Sequence, residues 1–137
     1  MVYKQRKVLE AATSTGAGEA VNVLPEGHIG ILTTANNLDP ENDELEIGLD
    51  VRLDGTWGAA TFPTIYSNGE EPPVLQDNVA FQERNGSYSA FIRIKNLTAK
   101  RVKPHILTFN DDSNNDLSVD VMISTNALNT KVEAVDG

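Results

Sequence analysis

Residues 44–54, Glu-Leu-Glu-Ile-Gly-Leu-Asp-Val-Arg-Leu-Asp, alternate without a fault. Leu45, Ile47, Leu49, Val51 and Leu53 take every odd position, and Glu44, Glu46, Gly48, Asp50, Arg52 and Asp54 take every even one. Successive side chains of a β-strand point to opposite faces, so period two gathers the five apolar chains on one side. At about 3.3 Å per residue the strand would run roughly 30 Å, long for a globular domain. Such a run calls for a sheet with one buried face and one charged face.

The rest of the chain repeats this grammar. Val2 to Glu10 alternates loosely around Val8 and Leu9, and a small-residue turn, Ala12 to Gly18, precedes a second extended piece at Ala20 to Leu24. His28 to Thr34 reads as a strand, and Asn36 to Asp43 is a polar loop of turn formers leading into the long strand. Asp54-Gly55 is a turn of the kind that joins paired strands. Extended runs follow at Trp57 to Tyr66, interrupted by Pro63, and at Val74 to Gln82. Arg84-Asn-Gly-Ser87 is a tight turn. Beyond it Tyr88, Ala90, Ile92 and Ile94 alternate with Ser89, Phe91, Arg93 and Lys95. Lys103 to Phe109 is extended and apolar, and Leu117, Val119, Val121 and Ile123 alternate with Ser118, Asp120, Met122 and Ser124. A last short strand is conceivable at Lys131 to Val135. Strands at 8 to 15 residue spacing with turns and no long helix predict an all-β fold. We expect a single antiparallel β-sandwich, jelly-roll or immunoglobulin-like, of roughly 8–10 strands. The 137 residues make one domain, with 1–10 as an N-terminal arm or edge strand and 126–137 as a flexible tail.

Composition removes several function classes. With no cysteine there is no disulfide and no thiolate nucleophile or metal ligand. The N-terminus has no apolar run of signal-peptide type, and no stretch approaches 18 consecutive apolar residues. No membrane association is expected. Twenty acidic residues against eleven basic ones leave a net charge of −9, which argues against nucleic acid as a partner. An acidic surface serves solubility, and it is also the habit of proteins from high-salt organisms. The charges are segregated along the chain. Bases gather at Lys4, Arg6 and Lys7 and from Arg93 through Lys95, Lys100 and Arg101 to Lys103. Acids gather from Asp39 to Asp50, including Glu44 and Glu46, and from Asp111 to Asp120. Opposite patches favour contacts between copies, although charge on edge strands also serves to block stray pairing.

Candidate sites are few. Asp112, Asn114 and Asp116 place oxygens at positions 1, 3 and 5, as a calcium loop does, but Leu117 and Ile123 stand where that loop needs Gly and a bidentate Glu. A plain connection between strands accounts for the segment, so no metal and no cofactor is expected. Asp39, Glu41, Asp43 and Glu44 offer the same oxygens with less support. His28 and His105, the two histidines, each sit where a strand is expected to start. Neither belongs to a recognisable triad, and there is no nucleophile elbow, phosphate loop or dinucleotide fingerprint. No catalytic residue emerges, and the chain is read as a non-enzyme. Trp57 reads as a core or rim anchor. Phe91 falls on the side of Arg93 and Lys95, opposite the core set, and an aromatic beside bases on an outer face is an interface candidate.

Val8-Leu-Glu-Ala-Ala-Thr-Ser-Thr-Gly-Ala-Gly-Glu-Ala-Val21, followed by Leu49-Asp-Val-Arg-Leu-Asp-Gly-Thr-Trp57, resembles small β-sandwich accessory proteins of tailed viruses, bacteriophages or haloarchaeal viruses. The resemblance covers about a quarter of the chain. It implies a capsid decoration or cement protein, or a turret or tail component, found in the virion after synthesis in the host cytoplasm. Its partners would be the major capsid or tail protein and its own copies, and no catalytic residue comes with it. The interface candidates are then Lys4, Arg6 and Lys7, which could add the N-terminal segment to a neighbour's sheet, with Phe91, Arg93 and Lys95 and the acidic set Glu44, Glu46 and Asp50. The competing reading is a carbohydrate- or receptor-binding sandwich of a fibre or adhesion complex, with Trp57 and Tyr66 as its platforms.

Overall fold

The computed structural model describes residues 3–23, 28–59, 64–67, 78–94 and 99–126. Two sheets face each other across one core, and no helix occurs among the described residues. One sheet runs β1 (Tyr3–Ala12), β12 (Ser118–Asn126), β4 (His28–Asn36), β10 (Ser87–Ile94) and β9 (Gln82–Arg84). The other runs β11 (Arg101–Asn110), β5 (Glu44–Arg52), β7 (Thr64–Ser67) and β8 (Asn78–Ala80). Short pieces β2 (Gly16–Ala17) and β3 (Val21–Asn22) lie along the free side of β11, and β6 (Trp57–Ala59) shares the side of β5 with β7. The first is called sheet I and the second sheet II. All pairings are antiparallel except β7–β8.

The all-β sandwich is as expected, and the described residues form twelve strands where roughly eight to ten were expected. Long extended runs break where the chain changes partner. The run expected over Val74 to Gln82 is the clearest case: β8 belongs to sheet II and β9 to sheet I, with Phe81 between them. The expected strand at Lys131 to Val135, the 127–137 part of the expected tail, and Pro63 lie outside the described residues.

Alternation does place the core. Leu45, Ile47 and Leu49 of β5 are buried, as are Leu117, Val119, Val121 and Ile123, and the two sets meet between the sheets. The apolar stripe of β5 ends sooner than its pattern: Val51 is half-buried and Leu53, past the strand end, is exposed. Both expected hairpins form. Asp54 and Gly55 turn β5 into β6, and Asn85 and Gly86, both at positive φ, join β9 to β10 as a two-residue turn whose Gly86 N–H donates to Glu83.

Pro104 sits inside β11, where a missing N–H would normally break a ladder. Its carbonyl accepts from Gly18 N–H at 2.9 Å, so its N and C=O point away from β5 toward the gap between β2 and β3. No bond to β5 is lost. Gly18 is obligatory there, since a Cβ would collide with Val8 O and come within 2.7 Å of Leu9 Cγ and 2.9 Å of Pro104 Cγ. The glycine-rich turn thereby clamps β1 onto sheet II, and Glu19 N–H donates to Val8 O at 2.9 Å beside it.

Candidate functional site

Register decides where the charged residues go. β4 ends and β5 begins at the same end of the sandwich where β11 hands over to β12, so the loops 37–43 and 111–117 are neighbours. They are tied together. Asp43, 2 % exposed, accepts from Ser113 N–H at 2.8 Å, Ser113 Oγ at 3.0 Å and Asp39 N–H at 2.9 Å. Asp111 takes up Asn115 N–H and Leu117 N–H at 3.2 Å each, and Asn37 Nδ2 donates to Asp116 O. Asp39 accepts from Asn42 Nδ2 and Glu41 N–H, and these bonds, the Asn42 one foremost, hold its carboxyl below its ordinary pKa.

The candidate calcium loop is thus organised by Asp111 and Asp43 rather than by Asp112, Asn114 and Asp116. Those three are exposed, the last two with left-handed backbone. Among the described residues no three His, Cys, Asp or Glu side chains converge as a metal set. The sequence lumped Asp43 with its acidic neighbours. Only its place two residues before Leu45, in phase with the buried positions of β5, could have marked it.

Bases lie at the opposite end. Arg52 stands directly across from Arg101, Lys100 N–H donates to Arg52 O, and Lys103 follows one step inward. Like charges opposed in this way are destabilising. Trp57, paired with Arg52, offsets part of that cost: the Lys103 ammonium stands 4.1 Å and the Arg52 guanidinium carbon 5.8 Å from its ring centre. Trp57 is therefore half-exposed on the outer face of sheet II and is not part of the core cluster. From Glu44 to Arg52 is eight residue steps, roughly 26 Å, against a Debye length of about 8–10 Å at physiological salt. The acidic and basic ends do not neutralise each other within one molecule.

Asp50 is the exception in the acidic set. It lies opposite Lys103, and its Oδ2 is 2.8 Å from His105 Nδ1. His105 occupies the middle of β11, pointing outward, and not a strand start; the strand begins earlier than its apolar run, at Arg101. This His–Asp contact was invisible before β5 and β11 were set in register. The same kind of contact orients the histidine of a catalytic triad, but no serine or threonine hydroxyl is seen to bond the ring among the described residues. Glu44 and Glu46 contact Asn110 Nδ2 at 2.8 Å and Thr108 Oγ1 at 3.3 Å, with no base opposite either.

The N-terminal bases separate. Arg6 and Lys7 fall on opposite sides of β1, and Arg6 pairs with Glu19 at 2.9 Å, while the side chain of Lys4 lies outside the described residues. β1 is an edge strand, and a charged edge discourages stray pairing. Asp120, across from the Lys7 side, accepts from Ala11 N–H and Asn36 Nδ2 at 2.8 Å each. These bonds, the Ala11 one foremost, with the Lys7 charge, lower its pKa against a smaller opposing effect of burial.

On the outer face of sheet I, Phe91 is 61 % exposed beside Arg93, as the alternation of β10 demanded. Lys95 lies outside the described residues. No helix among the described residues is long and apolar enough to cross a membrane.

No protein-family model matches this chain, and no curated protein matches it by sequence. Among solved structures its fold is similar to that of the SPBc2 prophage-derived protein YomS, with a TM-score of 0.50 over 90 % of this chain and 93 % of that one. At 12 % identity the likeness is one of fold.

Proposed function

We propose that this chain is a non-enzymatic structural component of a virus particle, of the accessory kind that decorates or cements a capsid, bound to the shell and to its own copies. The observation that carries this reading is the shared fold with a prophage-derived protein along nearly the whole of both chains. Two features support it. Outward-facing Phe91 and Leu32 leave apolar surface on a sheet face, and the charge is divided between ends too far apart to screen each other. The carbohydrate- or receptor-binding alternative draws less support, because the face of Trp57 is already covered by the Lys103 ammonium.

Density-gradient fractions of particles made by the virus or prophage that encodes the chain provide the test. The protein should co-sediment with intact particles at fixed stoichiometry, and particles lacking it should remain catalytically unaltered but less resistant to heat or low salt. Recovery only from the soluble lysate would overturn the reading.

A further inference from the structure

We propose that the outer face of sheet I is a docking surface for the outer face of sheet II of a second copy. This deepens the reading above and rests on it for the role of the resulting assembly. Four large apolar side chains are exposed among the described residues: Leu32, Leu53, Phe91 and Leu107. Three of them form the centres of these two faces.

On sheet I, Phe91 pairs with Leu32 and Leu32 with Met122, so the three make one apolar row across β10, β4 and β12. The Phe91 ring lies against Gly30, where a Cβ would stand 3.3 Å from two ring carbons. Lys7, paired with Met122, closes one end of the row, and Arg93 lies in the next row beside Gly30. Asp120 shares this face, but its oxygens are taken by Ala11 and Asn36.

Sheet II carries the counterpart. Leu107 is the extra residue where the β5–β11 register shifts, 49 % exposed, and it lies over Gly48 with Cδ1 3.1 Å from the position of a Cβ there. Its neighbours across β5 are Glu46 and, one step on, Glu44. Arg52, Arg101 and Lys103 are gathered around Trp57 at the far end, and His105, across from Gly48, is held by Asp50. One face thus has an apolar centre with a basic rim, and the other an apolar centre with an acidic rim.

That difference selects the mode. Joining two copies through sheet I would set Arg93 and Lys7 against their own kind, a costly juxtaposition, and joining them through sheet II alone would leave the larger apolar row of Phe91, Leu32 and Met122 uncovered. Sheet I on sheet II opposes unlike rims around matched apolar centres. The contact is heterologous, so each copy keeps one free face of each kind and growth continues until a ring closes or a stack forms.

Sedimentation and light scattering on Phe91→Ser and Leu107→Ser test this, with circular dichroism checking that each variant stays folded. Wild type should assemble beyond dimers as concentration rises, and each variant alone should weaken self-association at least tenfold. An equimolar mixture should give dimers and nothing larger, because each variant retains the face the other lacks. Lys7→Gln with Arg93→Gln, both exposed, should flatten the salt dependence even if Phe91→Ser fails to fold.

Any of four results overturns the proposal: a wild type monomeric at millimolar concentration, a single variant that assembles like wild type, a mixture that stays monomeric, or Phe91-dependent binding to another particle protein only. Wild type that assembles in this way yet never enters particles overturns the proposed role and leaves the docking geometry standing. Particle incorporation unaffected by Leu107→Ser in a monomeric protein does the reverse.

Discussion

The buried carboxyl of Asp43 receives both the backbone N–H and the hydroxyl of Ser113, seventy residues further along the chain. It also receives Asp39 N–H, so one side chain closes the β4–β5 loop and ties it to the β11–β12 loop. Asp43→Ala leaves two partly buried backbone donors, Ser113 N–H and Asp39 N–H, without their acceptor, and we expect a loss of about 3 kcal/mol. Ser113→Ala removes a hydroxyl shared between Asp43 at 3.0 Å and Asp111 at 3.3 Å and should cost about 1 kcal/mol. Urea unfolding of both variants checks the ratio; equal losses would mean that the two loops are held by something other than this carboxyl.

Gly18→Ala is expected to destabilise by about 2 kcal/mol, an overpacking cost. The added methyl has nowhere to go between Val8 O, Leu9 and Pro104. Relieving it means moving the backbone whose N–H bonds join Gly18 to Pro104 and Glu19 to Val8. Gly16→Ala, with open space around its Cβ, tests a different cost, that of a φ of +143°. Amide exchange in β1 should quicken in the Gly18 variant and hardly change in the other, which would fail if the clamp on β1 were not real.

What could be read from the sequence was whatever is decided locally. Period two in β5, β10 and β12 is a property of adjacent residues, as is the pair of positive-φ positions at Asn85 and Gly86, so both survived folding intact. Partner choice is not local. Phe81 gives no sign that the strand before it joins one sheet and the strand after it the other. Trp57 reads as a core or rim anchor from its place after Asp-Gly-Thr, and only its pairing with Arg52 across a four-residue turn brings it out under two cations. His105 and Asp50 meet because Pro104 leaves β5 undisturbed while the register runs on through it. Among three acids in one polar loop, burial falls on Asp43 because Ser113 lies opposite it, and no local pattern carries that information.

Acid should remove a part of the stability that Asp120 supplies. Its folded-state pKa is lowered, chiefly by the Ala11 N–H, below the value of about 4 that the unfolded chain retains. The group is therefore ionised in the folded protein at a pH where the unfolded chain already binds a proton. Its contribution is complete above about pH 4 and is lost as the pH falls through the folded value. The gap in melting temperature between wild type and Asp120→Asn should be constant near neutrality and shrink below about pH 4. Parallel curves down to pH 2 would mean the Ala11 and Asn36 bonds do not discriminate the charged form.

Thr33 faces the centre of the sandwich, where a void of about 10 Å³ is bounded by Ile31, Ile92 and Val121 of sheet I and Ile47, Leu49 and Ile65 of sheet II. Its hydroxyl is wholly buried and has no hydrogen-bond partner among the described residues. The space is about the least that a water molecule needs, and Thr33 offers the one polar side chain lining it, where a buried water makes two to four bonds. The hydroxyl is thus desolvated without compensation, at a cost of about 1–3 kcal/mol. Val has nearly the same shape and no oxygen, so Thr33→Val should stabilise by about 1 kcal/mol, a rise of about 4 °C in Tm. Thr34→Val, one residue on and half-exposed on the outer face, should bring no such gain, since that hydroxyl is not sealed in the core. An unchanged or lower Tm in Thr33→Val would show that the hydroxyl is satisfied in solution and that the centre of the sandwich is wet.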